Sequence, residues 1–394
     1  MGKISSRLSR IKPSPTLSVT QKAQELKARG IDVISFSAGE PDFDTPPHIV
    51  DAAVRALHDG VTRYTAVAGL PKLREAVAAQ SQSVRGVPCA AKQVIVSTGA
   101  KHALYGFFQA VLNAGDEVVI PAPYWVSYPD QVLLAGGEPK IAATRAEDDW
   151  VLTPDALDRA VTPRTVAVVI NTPSNPTGGL YTREAIAAIT RRALELRLWI
   201  VADEIYRDLI YDGMCHVSPL AVAGEGRERV FVVDGVSKTY AMTGWRIGWG
   251  IGDPEVIAAM STIQGQATSN AASMCQAAAL AAITSPADFL DGWRAEYAAR
   301  RDAMVRGLNE MPGVTCRKPR GAFYVLPCVQ EICARMGSGT TDVELATYLL
   351  EQGRVATVPG SAFGAPGYIR LSYATSMRNI EEGLKRVAEA FAKL

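Results

Sequence analysis

An α/β protein with a mostly parallel sheet, covered by helices on both faces, is what this chain predicts, and three observations predict it. Five short β-branched runs, "QVIVSTGA", "DEVVIPAP", "TVAVVINTP", "LWIVADE" and "RVFVVDGVS", lie between Gln93 and Ser237. Each is apolar without the alternation of a half-exposed strand, which is the pattern of strands buried on both sides. Each runs into glycine, proline or small polar residues and then into an alanine-rich segment with helical spacing, so strand and helix alternate.

The chain has 394 residues, of which 48% are hydrophobic, enough to bury one large core and a second, smaller one. Past about residue 285 its character changes. "GVTCRKPRGAFYVLP" and "RVATVPGSAFGAPGYIRLSYA" read as strands of a smaller mixed sheet, packed with helices over 342–352 and 379–393. The expected division is a large domain over 45–285 and a small α+β domain made of 1–44, the N-terminal arm, with 286–394.

Charge and cysteine usage exclude several functions. With 41 basic and 40 acidic side chains the net charge is +1, which leaves no electrostatic footprint for nucleic acid or for an anionic membrane surface. The six cysteines form no CxxC pair and the four histidines are scattered, so neither zinc nor a disulfide framework is expected. The basic N-terminus "MGKISSRLSRIKPSP" has no apolar stretch behind it, and no membrane-spanning run occurs; the expected location is the cytoplasm.

Ligands of open α/β sheets bind beyond the carboxyl ends of the strands. Those ends hold Gly99-Ala100-Lys101, Tyr124-Trp125, Asn171 to Gly178, Asp203-Glu204 and Ser237-Lys238. Taken alone, each has a plainer role: Asp203-Glu204 as a capping pair, "STGAKHAL" as an ordinary helix start, Trp125 as core, "NTPSNPTGG" as turn chemistry and Lys238 on a solvated face. Together they compose a site. A small-residue turn opening a helix suits a phosphate, a flat aromatic suits a heteroaromatic ring, and a carboxylate with a lysine suits pyridoxal phosphate. In "DGVSKTYAMTGWRIGWG" Lys238 and Arg246 lie in an otherwise uncharged run, and cations so placed need an anion nearby.

The motifs "SAGEPDFDTP", "TRYTAVAGLPKLREA", "STGAKHAL", "PYWVSYP", "NTPSNPTG", "ADEIYRDLIY", "SKTYAMTGWRIGW" and "IRLSYATS" occur in this order along nearly the whole chain. In them the chain resembles the class I, fold-type I pyridoxal-phosphate-dependent aminotransferases, specifically the bacterial aspartate aminotransferase-like branch. The resemblance implies a large domain with a mostly parallel seven-stranded sheet and pyridoxal 5'-phosphate as cofactor. It implies a ping-pong transfer of the amino group between an L-amino acid, aspartate above others, and 2-oxoglutarate.

The resemblance also implies roles. Lys238 is covalent anchor and base. Asp203 pairs with the pyridine nitrogen, Asn175 and Tyr206 hydrogen-bond the ring oxygen, and Trp125 stacks on the ring. Gly99, Ala100, Lys101, Ser237 and Arg246 hold the phosphate, with Tyr64 reaching in from a second subunit of a homodimer. Arg370 grips the substrate α-carboxylate, helped by Asn175 and Gly39, and Lys101 is the candidate for the distal carboxylate. Lys12 adds a cation on the N-terminal arm, which relatives of this branch associate with prephenate. The chain departs from common relatives at Ala100, His102 and Trp249. Prephenate or aromatic amino acids on the same site, or a lyase or synthase of the same fold, are the competing readings. A DNA-binding regulator lacks a second module here, and a nicotinamide enzyme lacks GxGxxG after a strand.

Overall fold

Twelve strands, taken in chain order, organise the computed structural model, which describes residues 4–11, 13 and 15–394. They are β1 (Ile34–Ser35), β2 (Val94–Ser97), β3 (Glu117–Ala122), β4 (Glu138–Ala143), β5 (Thr165–Asn171), β6 (Trp199–Asp203), β7 (Val230–Gly235), β8 (Gly248–Ile251), β9 (Tyr324–Val325), β10 (Val355–Ala356), β11 (Val358–Pro359) and β12 (Ile369–Ser372). Seven form the central sheet in the order β2-β8-β7-β6-β5-β3-β4. All its pairings are parallel except those of β8, which runs against both neighbours.

The apolar runs are continuous because both faces are covered. Val94 and Val96, Val168 and Ile170, Ile200 and Ala202 face one core, while Ile95, Ala167, Val169 and Val201 face the other. This is the two-residue period of a strand expressed as two hydrophobic layers. The five runs read from the sequence are β2, β3, β5, β6 and β7. The other two members escape that reading for physical reasons. β4 is an edge strand with a single buried residue, and β8 is four residues of "GWGI".

Glycines of the "GWRIGWG" segment serve close packing. A Cβ on Gly248 would lie 2.3 Å from the Ala100 nitrogen, so only glycine lets β8 pass beneath the start of the helix Ala100–Val111.

The C-terminal part is not one mixed sheet. β11, β12 and β9 form a three-stranded antiparallel sheet, and β1 pairs with β10 as a separate parallel ribbon. Of "GVTCRKPRGAFYVLP" only Tyr324–Val325 is strand; Thr315 and Gly321 make isolated antiparallel bridges and the remainder is loop. The helices Phe289–Asn309, Asp342–Glu351 and Met377–Phe391 surround a core of their own, which includes Phe36, Tyr324, Ile369 and Phe391. Ile205, Tyr206 and Leu209, just past β6, pack into this second core. The carboxyl ends of the central strands therefore face the C-terminal part, with a cleft between the two. Among the described residues no helix is long and apolar enough to cross a membrane.

Candidate active site

Strands β5 and β6 place Asn171 and Asp203 side by side in register at the carboxyl edge of the sheet. Asn171 donates its amide to the Asp203 carbonyl at 3.0 Å and accepts the Asn175 N–H at 2.9 Å, tying the "NTPSNPTG" loop to the strand end. Beyond β7 the chain turns through Ser237 and Lys238. The cleft that results, about 420 Å³, is lined by Gly39, Ala100, Lys101, Trp125, Asn175, Asp203, Tyr206, Ser237, Lys238, Arg246 and Arg370.

Lys238 is half-buried and donates to the Gly39 carbonyl at 2.5 Å. Burial pushes its pKa from 10.5 down to about 8; Glu40 opposes this, and Arg370 and Arg246 add to it. A lysine so placed is about one-tenth neutral and nucleophilic at pH 7, far more than a surface lysine. Asp203 is buried and forms no ion pair among the described residues. Burial raises its pKa to about 6, opposed by the Tyr128 hydroxyl, which donates to Oδ2 at 2.7 Å, and by the Ile205 N–H, which donates to Oδ1 at 3.2 Å. A buried carboxyl left in this state accommodates a cation or a protonated ring nitrogen.

Tyr206 is buried with its hydroxyl 2.9 Å from that of Tyr324, and burial holds its proton on. Trp125 meets the edge of Tyr128 at 5.3 Å and lies under the Lys101 ammonium at 4.8 Å. Partial desolvation and then the charge of Arg246 lower the Lys101 pKa.

At one end of the cleft Arg370, 2% exposed, donates Nη1 to the Asn175 Oδ1 at 3.1 Å and Nη2 to the Ser37 carbonyl at 2.8 Å. The rings of Tyr324 and Phe363 lie 4.5 and 5.0 Å from its guanidinium, and its Nε is buried with no partner among the described residues. Gly99 does not line the cleft itself; with φ +82° it caps the helix Ala100–Val111, whose first residues Ala100 and Lys101 do line it and whose first N–H groups have no partner within the helix. A Cβ on Gly99 would lie 2.4 Å from Nη2 of Arg246, so the guanidinium rests directly on the glycine backbone.

Arg246 itself is exposed at the mouth and donates to the Thr243 carbonyl at 2.8 Å, not half-buried as the run of uncharged residues suggests. Tyr64 does not line the cleft of its own chain; it is 89% exposed. His102 does not line it either, although it follows Lys101. Lys12 lies outside the described residues.

Three contributors escape the sequence reading. Tyr128, Tyr324 and Ser37 touch Asp203, Tyr206 and Arg370 respectively. Tyr128 lies three residues after Trp125, at helical spacing, and that was the available signal. Tyr324 comes from β9 and Ser37 from the segment just after β1, and neither carries one.

The sequence model described as "Aminotransferase class I and II" matches residues 31–387. An aspartate aminotransferase of Geobacillus stearothermophilus is 46% identical over 385 residues, covering 98% of each chain. An aspartate/prephenate aminotransferase of Cereibacter sphaeroides is 46% identical over 392 residues, again 98% of each. The solved structure of an aspartate aminotransferase from Thermus thermophilus with maleate superposes with a TM-score of 0.94 at 43% identity, over 99% of this chain and 100% of that one. With a family match across most of its length, and a cleft that sets a lysine of lowered pKa beside a buried carboxyl and a buried arginine, this chain belongs to the class I and II aminotransferases.

Proposed function

We propose that the protein is a pyridoxal-5'-phosphate-dependent transaminase that moves the amino group from aspartate to 2-oxoglutarate in a ping-pong cycle. The observation that carries this reading is the company Lys238 keeps. Its amine, with a pKa near 8, faces a cleft whose lining also holds Asp203, without an ion pair among the described residues, Arg370, and the helix start Ala100-Lys101 with Arg246.

The residues present fit the cofactor. Asp203 would face the ring nitrogen, Tyr206 and Asn175 the ring oxygen, and Trp125 the ring. The turn Gly99-Ala100-Lys101, with Ser237 and Arg246, would hold the phosphate. When bound, the cofactor supplies an aldehyde that takes up the amino group and a ring that delocalises the electrons released at the substrate α-carbon. Lys238 holds the cofactor in place and then carries the proton to and from that carbon. Asp203 keeps the ring nitrogen protonated, and the Tyr128 bond keeps Asp203 aimed.

Arg370 presents its planar fork to the substrate α-carboxylate, pre-oriented by Asn175 and Ser37 and assisted by Gly39. Lys101, exposed in the cleft beside Trp125, is the cation for the distal carboxylate. A second reading, prephenate as a further partner, rests on the name of the Cereibacter sphaeroides relative and on Lys12. The protein acts as a cytoplasmic homodimer in this proposal, with the exposed Tyr64 entering the neighbouring cleft, and its large domain spans 45–285.

The test is the visible spectrum of the purified protein supplied with pyridoxal phosphate. Loss of the bound-cofactor band on adding aspartate or glutamate, and its return with 2-oxoglutarate, supports the proposal. A band that responds only to aromatic amino acids or alanine removes Lys101 from its role, and no band at all overturns the cofactor assignment. Oxaloacetate formation from aspartate, compared with arogenate-type product from prephenate, separates the two substrate readings.

A further inference from the structure

Each of three residues placed at the cofactor is followed in the chain by a residue that points the other way, into one buried ionic cluster. Asp203 is followed by Glu204, Tyr206 by Arg207, and Lys238 by Thr239. Arg85, from the end of the helix Pro71–Arg85, donates Nε to Glu204 at 2.7 Å and Nη2 to Asp234 at 2.8 Å. Arg207 donates Nε to the same Asp234 oxygen at 2.6 Å and Nη1 to Asp208 at 2.7 Å, and Asp208 in turn accepts the Thr239 hydroxyl at 3.0 Å. Asp234 also accepts the Gly235 N–H at 2.7 Å, three residues before Lys238. Ser218 and His216 complete the far side of Glu204. Burial works against the Glu204 charge, yet Arg85, and then His216 and Ser218, hold its carboxyl well below the usual range.

We propose that Arg85 and Arg207 are positioning residues, and that their cluster clamps the backbones of Asp203, Tyr206 and Lys238 into one catalytic register. The inference rests on the cofactor roles proposed above. A cluster kept only for stability has little need of charge, since well-packed apolar side chains in its place are often neutral or stabilising. What apolar packing lacks is the directional link this cluster makes between the ends of β6 and β7 and the lysine loop. Reacting groups need that accuracy, because a displacement of about 1 Å costs about a hundredfold in rate.

The test compares Arg85→Lys and Thr239→Val with the wild-type protein, all reconstituted with pyridoxal phosphate. Lysine keeps the charge but cannot bridge two carboxylates as the guanidinium fork does, and valine removes one hydroxyl and no charge. The expected result is a fall in kcat of about tenfold or more for Arg85→Lys and about threefold or more for Thr239→Val, with KM for both substrates within about twofold. In the cofactor-free proteins, the pH midpoint of Lys238 acylation, read by mass spectrometry, moves upward as the lysine loop loosens and its amine gains water. Unchanged kcat and an unchanged Lys238 midpoint in folded variants, with only a lower Tm, overturn the proposal. If Arg85→Lys does not fold, Thr239→Val decides alone by the same two criteria. A wild-type protein that neither binds the cofactor nor transaminates refutes the underlying reading instead, which the wild-type control shows separately.

Discussion

Replacing Asp203 with asparagine is expected to make the cofactor-free protein more stable while disabling it. Burial lifts the Asp203 carboxyl from 3.8 to about 6, even against the Tyr128 and Ile205 hydrogen bonds. A carboxyl whose folded pKa lies above its unfolded one costs nothing while both states are protonated. The cost grows with pH as the unfolded chain ionises, and is constant once the folded pKa is passed. At ~1.36 kcal/mol per pH unit, this rise costs about 1.6 kcal/mol near pH 5 and about 3 kcal/mol near pH 8. Asparagine has the same shape, carries no charge to desolvate and still offers hydrogen-bonding groups to Tyr128 and Ile205. Urea unfolding of the cofactor-free wild type and variant near pH 5, 6.5 and 8 measures the difference. The variant's advantage should grow by about 1.4 kcal/mol across this range, nearly all of it below about pH 6.5. An advantage that does not change with pH, or a deficit that deepens as pH rises, would falsify the assignment of Asp203 as a destabilised, cation-seeking carboxyl. The same variant should lose about 10²–10³ in kcat, the factor that corresponds to about 3–4 kcal/mol of lost stabilisation at the ring nitrogen.

Lys238→Ala should reduce transamination to background with an unchanged circular dichroism spectrum, and wild-type Lys238 should be acylated in the cofactor-free protein with a midpoint near 8, well below that of a surface lysine. Arg370→Lys removes the fork that Asn175 and Ser37 orient; losing one charged hydrogen bond, about 1.5–3 kcal/mol, should raise KM for both substrates about 10- to 100-fold in steady-state assays. Gly99→Ala combines a strained φ of +82° with a Cβ 2.4 Å from Arg246 Nη2, and should weaken pyridoxal phosphate binding about tenfold or more by fluorescence titration, whereas unchanged affinity would remove Arg246 from phosphate binding.

What could be read in advance follows from how local each signal is. Asp203 and Lys238 were legible because strand ends of a parallel sheet are recognisable from a few consecutive residues, and chemistry collects there. Arg370 needed the family resemblance, since nothing near "YIRLSYA" says what its arginine faces. Tyr128 depended on the orientation of the helix Ser127–Leu134 against β6. The cluster behind the site joins Arg85 to partners 119 and 149 residues away, and no local pattern announces such pairings. The two unforeseen strands of the central sheet fail for opposite reasons: β4 is too polar at its edge, and β8 is too short and too rich in glycine.

The ribbon of β1 with β10, together with the bond from Arg370 to the Ser37 carbonyl across 333 residues, bears on how the protein is made. During synthesis the first strand leaves the ribosome with its partner untranslated, and it waits for nearly the entire chain. The seven central strands can pair and bury their two cores before then, because their partners are all encoded before residue 252. The wall of the cleft formed by Gly39 and Arg370 cannot. A chain released short of β12 would hold a finished sheet while the part of the cleft wall that carries Arg370 is still missing.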